Sequence, residues 1–432
     1  MLQRSRTIQH HAITPSASWL NWGIAAAYAI FSVFSVVSIA VLTESIEQGT
    51  GLSTAVIGSI ASVYFLTFAV AQLIAGMLID RIGPKWLLSA TAAMAALGGV
   101  LFVSSNSVVV LYLARGLMGV GLSSAFVGAL YMGRTWFDSS RYAFMSGLTQ
   151  MAANFGGALG SVVIAGAGYV PVILISAFLN MALVVLIVLF IANRVPHPGE
   201  NGPSTTPVGA VEGLGQVLGS RHVWLAALFY TGTFGTLLVL ADFWNVPLQE
   251  AHGHDTTMQA LLNAMLPIGT AIGALLTGLM SNRIKGLVRS CRWVALASTA
   301  MVLLLVMASP LQAWLELILL FLTGFALGGA ILAFPFVDTA LKPSTQGTGI
   351  GMLNTIAYLG AAITNLIVAG FVHASDILRT FHAQPQLPGP ADPQVVAEYR
   401  IAFIPIIVLT AISLLAALLM RERTPLDNQI EA

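Results

Sequence analysis

Runs of about twenty apolar residues, separated by short polar breaks, return along almost the whole chain, and that pattern restricts the fold more than any single motif. A helix that crosses a bilayer needs about 20 such residues. Twelve segments qualify: about 18–43, 54–79, 85–104, 107–133, 142–168, 170–193, 221–247, 257–281, 289–309, 312–340, 345–373 and 400–420. They are expected to be helices, because lipid cannot satisfy the polar groups of an open backbone. Composition agrees: 57% of the 432 residues are hydrophobic and 8% charged, against about a quarter charged in soluble domains. The expected class is an all-α, multi-pass membrane protein. Its net charge of +1 argues against a nucleic-acid partner. The one cysteine, Cys291, excludes an internal disulfide and reads as an incidental residue in a basic loop. The start of the chain is polar, and the apolar run after it is too long for a signal peptide. That run is expected to be the first spanning helix.

Twelve crossings leave both termini on one side. One set of ends and loops carries fifteen basic residues: Arg4, Arg6, Arg81, Lys85, Arg134, Arg141, Arg194, Arg221, Arg283, Lys285, Arg289, Arg292, Lys342, Arg421 and Arg423. The other set carries only Arg379 and Arg400. The positive-inside bias therefore predicts cytoplasmic termini. Residues 194–220, punctuated by Pro196, Pro198, Gly199, Gly202, Pro203 and Pro207, read as a flexible linker between six-helix halves at 1–193 and 221–432. The outer stretch 374–399, rich in proline, reads as a disordered connector, with a partial lid as the alternative.

The second and third segments are joined by Gly76-Met77-Leu78-Ile79-Asp80-Arg81-Ile82-Gly83-Pro84-Lys85. Gly76 permits close helix packing, Asp80 closes the helix at the membrane surface, and Arg81, Gly83 and Lys85 turn the chain with positive charge. This stretch resembles the signature loop of the major facilitator superfamily, Gly-x-x-x-Asp-Arg-x-Gly-x-Lys. Gly278-Leu279-Met280-Ser281-Asn282-Arg283 echoes it in the second half, with Gly278 matching Gly76 and Asn282 matching Asp80. Gly147, Gln150, Asn154 and Gly156 align in the same way with Gly351, Asn354, Tyr358 and Gly360. The resemblance implies two halves related by an axis along the membrane normal, with substrate bound between them near the bilayer midplane. It also implies that Asp80 sits against the start of the eleventh helix and pairs with a nearby Arg, biasing one conformation. Gly76, Asp80, Arg81, Gly83, Lys85 and Arg283 are the candidate gating residues.

Leu113-Ala114-Arg115-Gly116-Leu117-Met118-Gly119 resembles the family's fourth-helix motif. An arginine inside a spanning helix is costly, so it is usually paired or faces water. Arg115 is a candidate for substrate binding or for proton coupling; the alternative is a structural Arg bonded to carbonyls. Gln150 and Asn154 share a helix face, and Asn354 and Tyr358 repeat their spacing. All four suit hydrogen bonding to a polar solute or helix–helix adhesion. Tyr28, Tyr64 and Tyr230, with Phe31, Phe234 and Phe334, are candidate cavity aromatics or packing residues. Asp242 and Glu316 are candidates for proton coupling, and Asp338 ends the tenth helix. Gly156 and Gly160 permit close helix contact. The Gly-Pro pair that drug–proton exporters of this family carry in the fifth helix is absent here, where Ala158 follows Gly157. His252-Gly253-His254-Asp255 reads as a solvated loop and not as a metal site. No motif asks for a cofactor or for enzymatic chemistry.

The reading is an alternating-access secondary transporter of a small polar solute, an organic anion, carboxylate or amino acid. It is expected to work by proton-coupled uptake, as a monomer in a bacterial inner membrane. Efflux of amphiphilic compounds and a non-transporting membrane sensor are the alternatives.

Overall fold

The computed structural model describes residues 15–163, 168–193, 210–244, 248–249, 252, 254–281, 286–381 and 393–422. Every regular element among them is helical. The first half contains α1 (Pro15–Val41), α2 (Thr43–Thr50), α3 (Thr54–Ser104), α4 (Val108–Leu122), α5 (Ser124–Trp136), α6 (Tyr142–Val163) and α7 (Tyr169–Phe190). Next come α8 (Ala210–Gly219), α9 (Arg221–Tyr230), α10 (Thr236–Phe243), α11 (Thr256–Ser281) and α12 (Leu287–Ala308). The chain ends with α13 (Ala313–Gly328), α14 (Ala333–Asp338), α15 (Gln346–Phe381), α16 (Pro393–Ala402) and α17 (Ile404–Leu419).

Among the described residues, ten stretches are long and apolar enough to cross a membrane. One of them, Val56–Ser104, has 49 residues, a length of about 73 Å at the helical rise of about 1.5 Å per residue. That is more than twice the hydrocarbon thickness of about 30 Å. The stretch breaks where Gly83 adopts φ 80 and ψ 166, a left-handed conformation that favours glycine. Pro84 follows, and Asn193 Nδ2 donates to Ile82 O at 3.0 Å, tying the break to the end of α7.

Three expectations need correction. Residues 194–209 and the termini lie outside the described residues, but 210–219 are helix and not flexible linker. Fully buried Val217 anchors α8 across the bundle, against α3 and α15. Likewise 374–381 continue α15, and 393–402 form α16, so the outer stretch is helical at both ends. Cys291 lies inside α12 and is fully buried. On the same helix Arg292 donates to Ala417, Leu418 and Met420 carbonyls at 3.0–3.3 Å. It satisfies the otherwise orphaned C-terminus of α17.

The two halves meet through two helix pairs, α3 with α15 and α6 with α11. A side chain at Gly76 would strike the carbonyl oxygen of Gly347, and one at Gly351 would lie 2.5 Å from Gln72 O. In the second pair, a side chain at Gly278 would lie 2.5 Å from Ala143 O, and one at Gly147 would strike Ala274 O. These are the positions that the internal repeat equates. Both pairs therefore make the same backbone-to-backbone contact, at the end of the bundle that carries Arg81, Lys85 and Arg134. That end is called the basic end below.

Two polar contacts close the same end. The Asp80 carboxylate accepts from Gly347 N, Thr348 N and Thr348 Oγ1, each at 2.8 Å. It thus caps α15, where a carboxylate is favoured by the unpaired amides and the helix dipole. The partners of Asp80 in these bonds are amides and a hydroxyl, and the charge of Arg81 also acts on the carboxylate. Arg134 on α5 pairs with Asp338 at the end of α14 at 2.5 Å, both side chains being largely buried. Asn282, Arg283 and Lys285 lie outside the described residues.

Replacing Gly76 by Leu is expected to lower the melting temperature of the purified protein, since overpacking costs about 1–3 kcal/mol. Gly23→Ala, where a side chain meets nothing within 4 Å, is expected to leave it unchanged or raised. Equal melting temperatures for Gly76→Leu and wild type would disprove the close approach. A double-mutant cycle on Arg134→Ala and Asp338→Ala is expected to give a coupling of about 1 kcal/mol or more, between the values for exposed and buried pairs.

Candidate functional site

Arg115 enters the bundle on α4, about 10 Å from the start of that helix at 1.5 Å per residue. It is the largest fully buried side chain, 1% exposed. Its guanidinium lies 4.5 Å from the centroid of the Tyr64 ring, within cation–π range. Its Nη1 reaches Met118 Sδ at 3.9 Å, while Nε has no hydrogen-bond partner. Among the described residues, no carboxylate lies within ion-pair distance of it. Taking a cation from water into such surroundings costs several kcal/mol unless it is paired.

From Tyr64 a chain of aromatic contacts runs across both halves. Tyr64 stacks on Phe68 at 5.5 Å, and Phe68 meets Tyr358 of α15 edge-on at 5.4 Å. Tyr358 meets Phe234 at 5.8 Å, Phe234 stacks on Tyr230 at 5.0 Å, and Tyr230 meets Phe334 at 4.9 Å. Phe334 returns to the first half at Phe126, 6.1 Å away. The belt thus joins α3, α15, the α9–α10 helix, α14 and α5. Two helical irregularities border it. Thr231–Gly235 form a π turn between α9 and α10, and Gly329–Leu332 a tight 3₁₀ turn between α13 and α14. Such interruptions recur at functional sites because they re-aim side chains and free backbone groups.

Spare hydrogen-bonding atoms point the same way. Tyr230 Oη donates to Asn354 Oδ1 at 3.2 Å, leaving Asn354 Nδ2 without a partner. Tyr64 Oη, Asn154 Nδ2 and Gln72 Oε1 are also buried and without partners. With Arg115 Nε, this gives the half-interface three nitrogen donors and a hydroxyl to one pure acceptor. Buried polar atoms are rarely left unpaired, so the surplus suits a ligand rich in acceptors.

The remaining candidates are placed as follows. Tyr28 is fully buried and donates its hydroxyl to Gly121 O at 2.6 Å, so it ties α1 to α4 and has no free donor. Gln150 Nε2 donates to Asn154 Oδ1 at 3.2 Å. This pair lies on α6, and no hydrogen bond among the described residues joins it to Arg115. Asp242 accepts from Asn365 Nδ2 at 2.6 Å, at the far end of the α9–α10 helix. Glu316 is fully buried in the first turn of α13 and is held by His252 and His254. It lies about 27 Å along the helix from Phe334 at 1.5 Å per residue, so it does not join the central cluster. His252 and His254 are accordingly not solvated, although Asp255 beside them is exposed, and periodicity could not test that reading. Phe68, Phe126 and the π turn escaped the sequence reading; the Gly232 and Gly235 pair flanking Phe234 was the available signal.

A cavity of about 310 Å³ opens on the flank of the bundle between α3 and the end of α4, lined by Leu66, Val70, Ile74, Leu87, Thr91 and Val120. Leu66 and Val70 are exposed there, and an apolar flank of a spanning bundle faces lipid. The polar centre around Arg115, not this cavity, is therefore the candidate solute site.

The sequence also matches known proteins. It is 27% identical to the probable sulfoacetate transporter SauU of Cupriavidus necator over 361 residues, 78% of this chain and 83% of that one. It is 23% identical to the gallate transporter of Pseudomonas putida, over 81% of this chain and 84% of that one. The fold superposes on the Escherichia coli fucose:proton symporter FucP with a TM-score of 0.68 at 16% identity, covering 94% of this chain and all of that one. The family description Major Facilitator Superfamily matches residues 23–365. With that match over most of its length, and with ten membrane-length apolar stretches among the described residues, the chain belongs to the major facilitator superfamily and is a membrane transporter, not an enzyme.

Proposed function

We propose that this protein takes up a small organic anion by proton-coupled alternating access, with Arg115 as the anion's counter-charge. The observation that carries the reading is the fully buried guanidinium with no acidic partner among the described residues. Tyr64, Asn354, Tyr230 and Tyr358 complete the binding site across the halves. Gln150 and Asn154 line it from α6, and Tyr28 supports it from behind. Relatives that carry sulfoacetate and gallate, both small acids, support the substrate class.

The topology behind the proposal is twelve spans in two six-helix halves, 1–193 and 221–432. Counting the broken Val56–Ser104 stretch as two and adding α6 to the ten membrane-length stretches supports that number. The distribution of Lys and Arg supports cytoplasmic termini and an inner-membrane location. The basic end is then cytoplasmic, and its closure by Gly76, Asp80 and the Arg134–Asp338 pair corresponds to an outward-facing state. Arg81, Gly83, Lys85 and Arg283 belong to the same gate. The protein acts as a monomer.

Proton coupling follows from the direction of the field. Against an inside-negative potential, importing one negative charge costs about 2.3 kcal/mol per 100 mV, and a co-transported proton removes that cost. Asp242, which bridges to α15 through Asn365, is the proton-carrying candidate. A second reading, export of an amphiphile, rests on the aromatic belt.

Thermal-shift titration of purified protein with sulfoacetate, gallate and other small carboxylates separates these readings. An anion is expected to stabilise wild type, and Arg115→Ala to weaken its binding roughly 10–100-fold, the loss of one charge-assisted hydrogen bond of about 1.5–3 kcal/mol. Stabilisation by hydrophobic cations alone, equal in both proteins, would sink the anion reading in favour of export. In proteoliposomes, an inward proton gradient is expected to accelerate uptake of that anion with the membrane potential clamped at zero; indifference to the gradient removes proton coupling. Tyr28→Phe is expected to cost about 1 kcal/mol of stability while leaving the transport KM unchanged, because its hydroxyl is spent on Gly121 O.

A further inference from the structure

Away from the half-interface, the described residues bring one set of metal-binding side chains together. Glu316 begins α13 with a carboxylate that is wholly buried. His252 Nδ1 lies 3.2 Å from its Oε1 and His254 Nε2 lies 2.9 Å from its Oε2. The two imidazole side chains are 3% and 9% exposed. One donor atom from each of the three residues falls within 4.8 Å of the others.

The surroundings hold these groups in place. His252 N–H donates to Leu248 O at 2.9 Å and His254 N–H to Gln249 O at 3.0 Å. Gln259 Nε2 donates to His254 O at 2.7 Å, and Gln249 Nε2 donates to Asn263 Oδ1 at 2.8 Å. Trp244 packs edge-on against His252 at 6.1 Å and stacks on Phe403 at 5.5 Å. Asp255 is not a fourth member, since its Oδ1 caps α11 by accepting from Met258 N–H at 2.8 Å.

We propose that His252 Nδ1, His254 Nε2 and the Glu316 carboxylate bind one divalent transition-metal ion, of which zinc fits best. Two imidazoles and one carboxylate form a donor set suited to zinc and disfavoured by calcium or magnesium, which take oxygen ligands. Bonds of about 2.0–2.2 Å to a tetrahedral ion place neighbouring donors about 3.4 Å apart, which the His–Glu separations of 3.2 and 2.9 Å reach with small shifts, the three donors already lying within 4.8 Å of one another. A buried carboxylate facing two imidazoles lacks a fixed positive charge, and the ion supplies it. The fourth position is left to water. The ion pins the connection between α10 and α11 to the start of α13, at the end of the bundle opposite the gate of Gly76 and Asp80. It fixes the outer rim of the second half, whatever solute the centre carries.

The test uses full-length protein purified without a polyhistidine tag, stripped with a chelator, and titrated with Zn²⁺, Co²⁺ and Mg²⁺. Expected are one equivalent of bound zinc by calorimetry, a rise in melting temperature with Zn²⁺ but not Mg²⁺, and visible absorption from tetrahedral Co²⁺. In the His252→Ala/His254→Ala variant the zinc affinity is expected to fall roughly 100-fold or more. Zinc bound equally by wild type and variant, or no zinc bound by wild type, overturns the proposal and leaves the cluster as a hydrogen-bonded strut. The Co²⁺ spectrum of the wild type decides the case should the variant fail to fold.

Discussion

The closest constraint in this molecule is the contact between backbones at four equivalent glycines. Lipid chains are as apolar as leucine, so helices in a bilayer gain little from hydrophobic burial against one another and associate through close packing. Gly76 and Gly351 bring α3 onto α15; Gly278 and Gly147 bring α11 onto α6. Both contacts lie at the same end, as two parallel repeats related by an axis along the membrane normal would require. One end of the interface is therefore sealed twice by the same interaction. Every polar contact that crosses the halves at that end, from Asp80 to Gly347 and Thr348 and from Arg134 to Asp338, depends on that approach. When α3 parts from α15, the α15 amides lose their cap and Asp80 loses three hydrogen bonds together. On the proposed gating role, these contacts serve one state only, because Asp80 and its partners stand on different halves.

Much of this was legible in the chain because it is written in residue types with few physical uses. A glycine four residues before an aspartate, at the exit of an apolar run, has little to do except admit another backbone. The same pattern around Gly278 shows where the second contact must fall. What could not be read was anything set by the meeting of distant elements. Arg134 and Asp338 are each ordinary ends of helices, and only the folded interface pairs them. His252 and His254 look like loop residues until α13 brings a buried Glu316 beneath them. Tyr28 and Tyr64 look alike in sequence, yet one hydroxyl is spent on a carbonyl and the other is free. The π turn at Thr231–Gly235 leaves no periodic signature, since one extra residue in a turn only blurs the helical period.

Arg115 gains meaning from the difference between the halves. The cation and Tyr64 stand on the first half; Asn354, Tyr230 and Tyr358 stand on the second. An anion that touched Arg115 alone would offset the buried charge without favouring any arrangement of the halves. A ligand shifts a conformational equilibrium only by its differential affinity for the two states. The spare Asn354 Nδ2 matters for that reason, because it lies across the interface from the guanidinium. On the proposed reading, a carboxylate or sulfonate held by Arg115 engages Asn354 through a second acceptor group as the halves enclose it. On that reading charge supplies affinity, and the second acceptor supplies the coupling to closure. Simple monovalent anions lack that second group, so on the proposed reading small organic acids with polar atoms at both ends are the favoured solutes.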